Sequence, residues 1–164
     1  MQQSQWFYQQ LQASTEGFLW SVEQIPHERQ YRPPRPDRWS VARIVYHMGC
    51  YDRLIGLPTV RQWLGGPSPE AGLTGSVEGD AAREEALWQH GQGHEVQAMI
   101  TGFKKLRLEQ LALIQQFPES AWSGERDALW GPVSLQWAVT KTYQHTLEHT
   151  DEILRSYLWG GRSQ

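Results

Sequence analysis

Proline and glycine cut this chain into four stretches, and all four space their apolar residues as a helix does, with no sustained strand-like alternation. The first runs from Gln3 to Ile25, with Phe7, Leu11, Phe18, Val22 and Ile25 near one face. Pro26 and the segment Arg32-Pro-Pro-Arg-Pro-Asp37 stop it, because proline has no amide donor and restrains the residue before it. Ser40 is placed to cap a second helix whose stripe is Ile44, His47, Met48, Tyr51 and Leu54 or Ile55. That helix should fade near Pro58. Gly65 to Gly79 is too rich in glycine, proline and polar residues for a core element and predicts a long surface crossing. A third helix, Asp80 to Phe117, aligns Val96, Ile100, Phe103, Leu106 or Arg107, Leu111, Ile114 and Phe117, with a kink or break expected at Gly91 and Gly93. Pro118 closes it. Beyond a loop holding Trp122 and the turn-like Trp130-Gly-Pro132, Ser134 can cap a last helix that reaches Trp159 and is ended by Gly160-Gly161. Four amphipathic helices with connections of unequal length read as an all-α four-helix bundle, in one domain over residues 1–164.

Composition narrows the classes of function. At 164 residues, with 39% hydrophobic and 20% charged residues, the chain can build a core without staples. The net charge of −3 offers no basic footprint, and Arg29, Arg32, Arg35 and Arg38 sit in a proline-broken loop with no repeating aromatic platform. The expectation is therefore a protein that engages no nucleic acid. Cys50 stands alone, which excludes an internal disulfide and suits a reducing compartment. No basic-then-apolar leader and no run near the ~20 apolar residues of a membrane span is present, so the expected setting is cytoplasmic, away from membranes. Nine tryptophans are many for this length, and an exposed aromatic face would favour a homodimer.

Chemistry gathers on the histidines. His145 and His149 are four apart in a strongly helical segment, so both imidazoles lie on one face a turn apart. That spacing lets two ring nitrogens approach one ion, since zinc–nitrogen bonds are only ~2.0–2.1 Å. His47 lies on the apolar stripe of the second helix, where an imidazole needs partners for its nitrogens. Either it bonds a backbone or hydroxyl group in the core, or it joins His145 and His149 in a three-ligand site with a position left for water or substrate. His90 and His94 share the four-residue spacing, but Gly91 and Gly93 loosen their backbone and they read as an exposed helix start. His27, beside Pro26, reads as a loop residue facing solvent.

The run Trp39-Ser-Val-Ala-Arg-Ile-Val-Tyr-His47-Met-Gly-Cys-Tyr-Asp52 resembles the second-helix signature of the DinB-like superfamily. It has the Trp-Ser helix start, a histidine eight residues after the Trp and an acidic residue five beyond. His145-Thr-Leu-Glu-His149-Thr-Asp-Glu-Ile153 is similar to that family's last-helix motif. The resemblance implies an up-down-down-up bundle with a long crossing between its second and third helices, and a divalent metal, often zinc or nickel, on His47, His145 and His149. Among the relatives it implies are S-transferases using bacillithiol, a maleylpyruvate isomerase using mycothiol, and metal-dependent hydrolases. Many of them have His-His where this chain has Glu148-His149.

The implied function is a metal-dependent enzyme acting on a small molecule, as a thiol S-transferase or a hydrolase. The rival of another class is a non-catalytic bundle, metal-clamped or metal-free, that binds a partner. His145-Thr-Leu-Glu148-His149 also matches the H-x-x-E-H pattern of inverted zinc peptidases, but Asp151 and Glu152 are too near along the helix to be their distant acidic ligand. Glu148 is expected to face solvent. Arg43 reads as a helix-surface charge or an anion contact, and Cys50 as a small core residue. Asp52 reads as an acceptor for a ligand imidazole or as a cap or interhelix contact.

Overall fold

A computed structural model describes residues 2–69 and 77–159. The protein is mostly helical, with one small two-stranded sheet among the described residues. The expected crossing lies partly outside those residues, as does Gly160-Gly161.

Helix α1 spans Gln3–Glu23 and ends before Pro26; a short α2, His27–Gln30, follows, so His27 lies in a helical turn rather than a loop. Helix α3 covers Val41–Tyr51 and starts where the Ser40 hydroxyl accepts from the Arg43 amide. It does not fade at Pro58. Residues Asp52–Gly56 widen into a π-turn, in which the Leu57 amide bonds the Asp52 carbonyl, and α4 continues over Leu57–Arg61. Pro58 therefore falls in the first turn of α4, where its missing donor is tolerated. Gly56 lets the π-turn close, since a Cβ there would stand 3.2 Å from both the Asp52 carboxylate and the Tyr51 ring.

The third expected helix is two helices, α5 (Val77–Gly91) and α6 (Val96–Ile114), separated where Gly93 adopts φ +87°. That left-handed conformation is open to glycine and strained for other residues. Between α6 and the last helix lies a feature that periodicity did not reveal, an antiparallel hairpin of β1 (Glu125–Ala128) and β2 (Gly131–Ser134). Leu129 and Trp130 form its turn, and Gly131 takes φ +89°. Ser134 closes β2 and caps α7 (Leu135–Ile153) by accepting from the Trp137 amide; a π-turn then carries the chain to Trp159.

α1 packs on α6 and α7, and α3 packs on α5, α6 and α7. One core cluster joins Phe18, Val22, Ile44, Met48, Ile100, Phe103 and Ile153. A second joins Phe7, Leu11, Leu111, Ile114, Trp122, Leu135 and Val139. Arg107, not Leu106, takes the inward position on α6. No helix among the described residues is long and apolar enough to cross a membrane.

Candidate metal centre

α3 and α7 bring His47, His145 and His149 together. The His47 and His145 Nε2 atoms are 3.0 Å apart, and those of His145 and His149 are 3.1 Å apart. One ligand atom from each of the three lies within 4.8 Å of the others. Imidazoles around one tetrahedral ion would place their nitrogens about 3.3 Å apart.

The other ring nitrogens decide what faces that space. His47 Nδ1 is 2.7 Å from Glu84 Oε2, and His149 Nδ1 is 3.0 Å from Glu152 Oε2. An ionised carboxylate can only accept, so each Nδ1 carries a proton, and in the neutral ring Nε2 then presents a lone pair. Burial works against the Glu84 charge, but the His47 hydrogen bond and the neighbouring Arg83 and Arg43 outweigh it and hold the carboxyl below its ordinary value. Burial, then the charge that the neighbouring His149 and His47 bear when protonated, push His145 down to about 2, so this ring is neutral. Three imidazoles crowding Nε2 atoms together, two anchored from behind by carboxylates, form a donor set suited to a divalent cation.

Aromatic rings wall the cluster. Trp39 stands 5.1 Å from the His47 ring and lies nearly parallel to His149, with centroids 6.2 Å apart. The Arg43 guanidinium sits 4.6 Å over Trp39 and pairs with Glu85 at 2.9 Å. Tyr51 packs 4.3 Å from His145, and burial raises its hydroxyl to about 12.

Asp52 does not orient an imidazole. It is fully buried and pairs with Arg107 at 3.0 Å, while Arg107 also donates to the Thr146 hydroxyl at 3.3 Å. This is the interhelix contact of the two readings. Glu148 is exposed and accepts from Gln144. His27 is exposed and lies 3.5 Å from Glu95; His90 and His94 are exposed at the end of α5, apart from the cluster. Cys50 is buried and lines a cavity that none of the three histidines lines. Glu152, three residues after His149, was within reach of sequence spacing; Glu84 was not, because only the fold brings α5 to His47.

Residues 10–153 match the family model of the DinB superfamily, and the chain belongs to that superfamily. The superfamily is generally metal-associated. No curated protein matches the sequence. The colibactin self-resistance protein ClbS, crystallised in complex with a double-stranded DNA, is similar in fold: TM-score 0.74, 11% identity, 94% of this chain and 96% of that one covered.

That likeness overturns the expectation of a protein with no dealings with nucleic acid. A chain of the same fold sits on DNA, and a net charge of −3 is an average that says nothing of the local field. Arg29, Arg32, Arg35 and Arg38 are all exposed on one segment.

Proposed function

We propose that the protein is a divalent-metal-dependent enzyme whose ion, zinc or nickel, is held by His47, His145 and His149. Its frame is proposed as an up-down-down-up four-helix bundle of α1, α3 with α4, α6 and α7, one domain over residues 1–164. The observation that carries the metal reading is the convergence of three Nε2 atoms, two of them turned inward by carboxylates at Nδ1. An ion with three imidazole ligands keeps a position for water or a thiol and lowers the pKa of what binds there. The activity that fits is transfer of a low-molecular-weight thiol to an electrophile, or hydrolysis of a small molecule.

The residues around the cluster would position the substrate. Trp39 covers His47 and His149 on one side, and a cavity of about 340 Å³ lined by Arg38, Trp39, Arg43 and Trp88 lies beside it. Arg43, held over the indole, brings a positive charge to that wall and suits an anionic group on the substrate.

The test is metal content of the untagged protein, followed by turnover. Wild type is expected to hold about one ion per chain, His47→Ala and His145→Ala none, and the loaded wild type to turn over members of a thiol-plus-electrophile or ester panel that His149→Ala leaves untouched. Metal without turnover, with chelation only lowering the melting temperature, would favour a metal-clamped bundle instead.

A second reading, contact with DNA, is favoured by the exposed arginines and by the DNA-bound protein of the same fold. Its signature is salt-dependent binding of duplex DNA that weakens in the triple variant Arg32→Ala, Arg35→Ala, Arg38→Ala. Binding that ignores both salt and these substitutions would remove it.

A further inference from the structure

The paired glycines and histidines of His90-Gly91-Gln92-Gly93-His94 play no part in the metal centre, yet the fold uses them. Gly91 permits a close approach of Tyr46, since a Cβ there would lie 2.6 Å from its ring. The turn at Gly93 then sets His90 and His94 on the rim of a cavity of about 290 Å³ between α3, α6 and the end of α5.

The lining of this cavity differs in character from floor to rim. Val45, Met99 and Phe103 supply an apolar floor. Gly49 on α3 and Gly102 on α6 open it, since a Cβ built on either meets nothing within 4 Å. Side chains there would fill the space, and the sequence has none. At the rim stand the exposed Arg53, His90 and His94, with Tyr46 beside His94 and the buried Cys50 deeper in the wall. Arg53 has no carboxylate partner among the described residues, and its charge acts on both the Tyr46 hydroxyl and the Cys50 thiol. An apolar floor with a few convergent polar groups, near the ~300 Å³ lower end of ligand pockets, is the form of a small-molecule site.

We infer that this cavity is a second ligand site, separate from the histidine cluster, for a small organic acid whose apolar body fills the space beside Gly49 and Gly102 and whose carboxylate meets Arg53. His90 adds a hydrogen-bond donor at the mouth, and His94, whose Nδ1–H is given to the Gly91 carbonyl, walls it. The site does not depend on the metal reading, because none of its residues belongs to the three-histidine cluster.

Phenylacetate and 3-methylbutyrate, each beside its uncharged amide, are the probes. They are titrated calorimetrically into metal-loaded and into chelated protein. At least one acid is expected to bind saturably in both, tenfold or more tighter than its amide, and to slow alkylation of Cys50 by iodoacetamide. Arg53→Gln, an exposed change that leaves the core intact, is expected to weaken binding at least tenfold, and Gly102→Leu to abolish it. No saturable binding of either acid, equal binding of acid and amide, affinity unchanged in Arg53→Gln, or binding that vanishes with the metal would each overturn the site.

Discussion

Glu84 reaches His47 from α5, a helix that contributes none of the three histidines, and this makes it a sensitive test of how the cluster is held. Its carboxylate fixes the Nδ1 proton and so the direction of the Nε2 lone pair. Glu84→Gln keeps the shape but removes the charge, and is expected to weaken metal binding about 10–100-fold with little change in folding stability. Competition with a chromogenic chelator measures it, and an unchanged affinity would demote Glu84 to a bystander. Gly91 makes the opposite kind of test. Gly91→Ala puts a methyl into the Tyr46 ring, and overpacking of this sort costs about 1–3 kcal/mol, read as a lower urea midpoint. Both residues show where sequence reading stopped. The histidine cluster was legible because two of its members lie a helical turn apart and the third sits on an apolar stripe. Glu84 and Tyr46 act through contacts between helices distant in sequence, and no local spacing encodes them. Asp52 was legible as a cap or interhelix contact, one of its two readings, but its partner Arg107 was hidden in an ordinary helical run where Leu106 was equally eligible.

Among the elements, the helix starts read best. Ser40 and Ser134 both accept from the amide three residues on, as their positions ahead of amphipathic stretches predicted. Ser40 also sets the first turn of the helix that delivers His47. Ser40→Ala is therefore expected to cost about 1 kcal/mol and to leave metal stoichiometry at the wild-type level; calorimetric melting beside elemental analysis checks both. The helix passes Pro58 because the π-turn ends just before it, which sets the proline in the first turn of α4, where its missing donor is tolerated; Gly56 eases the closing of that π-turn over Asp52 and Tyr51. The hairpin Glu125–Ser134 escaped because four-residue strands are too short for alternation to emerge, and Val133 is its only residue buried in the core. The break at Gly91 and Gly93 was legible, and it now has two causes: contact with Tyr46 at the first and a left-handed turn at the second.

Taken as one molecule, the protein buries two groups whose titrations oppose each other. Burial pushes the Asp52 carboxyl up to about 6 from 3.8, although Arg107 beside it pulls the other way. Burial and two neighbouring imidazoles push His145 down to about 2 from 6.5. Between pH 4 and 6 the folded chain keeps a proton on Asp52 that the unfolded chain has released, so this group's contribution falls as pH rises through that window. In the same window the unfolded chain carries a proton on His145 that the folded chain refuses, so this contribution grows as pH rises. Each slope is at most about 1.4 kcal/mol per pH unit, and the two nearly cancel. The metal-free protein should therefore show these two groups only through their removal. Relative to wild type, Asp52→Asn is expected to gain stability as pH goes from 4 to 6, and His145→Gln to lose it. Urea unfolding of chelated wild type and both variants at pH 4, 5, 6 and 7 gives the two difference curves. Opposite slopes that level off above pH 6 for Asp52→Asn and above about 6.5 for His145→Gln would place both titrations in the folded core. Parallel curves would mean that water reaches these groups and that the region behind the three histidines is wetter than the packing of Tyr51, Thr146 and Arg107 allows.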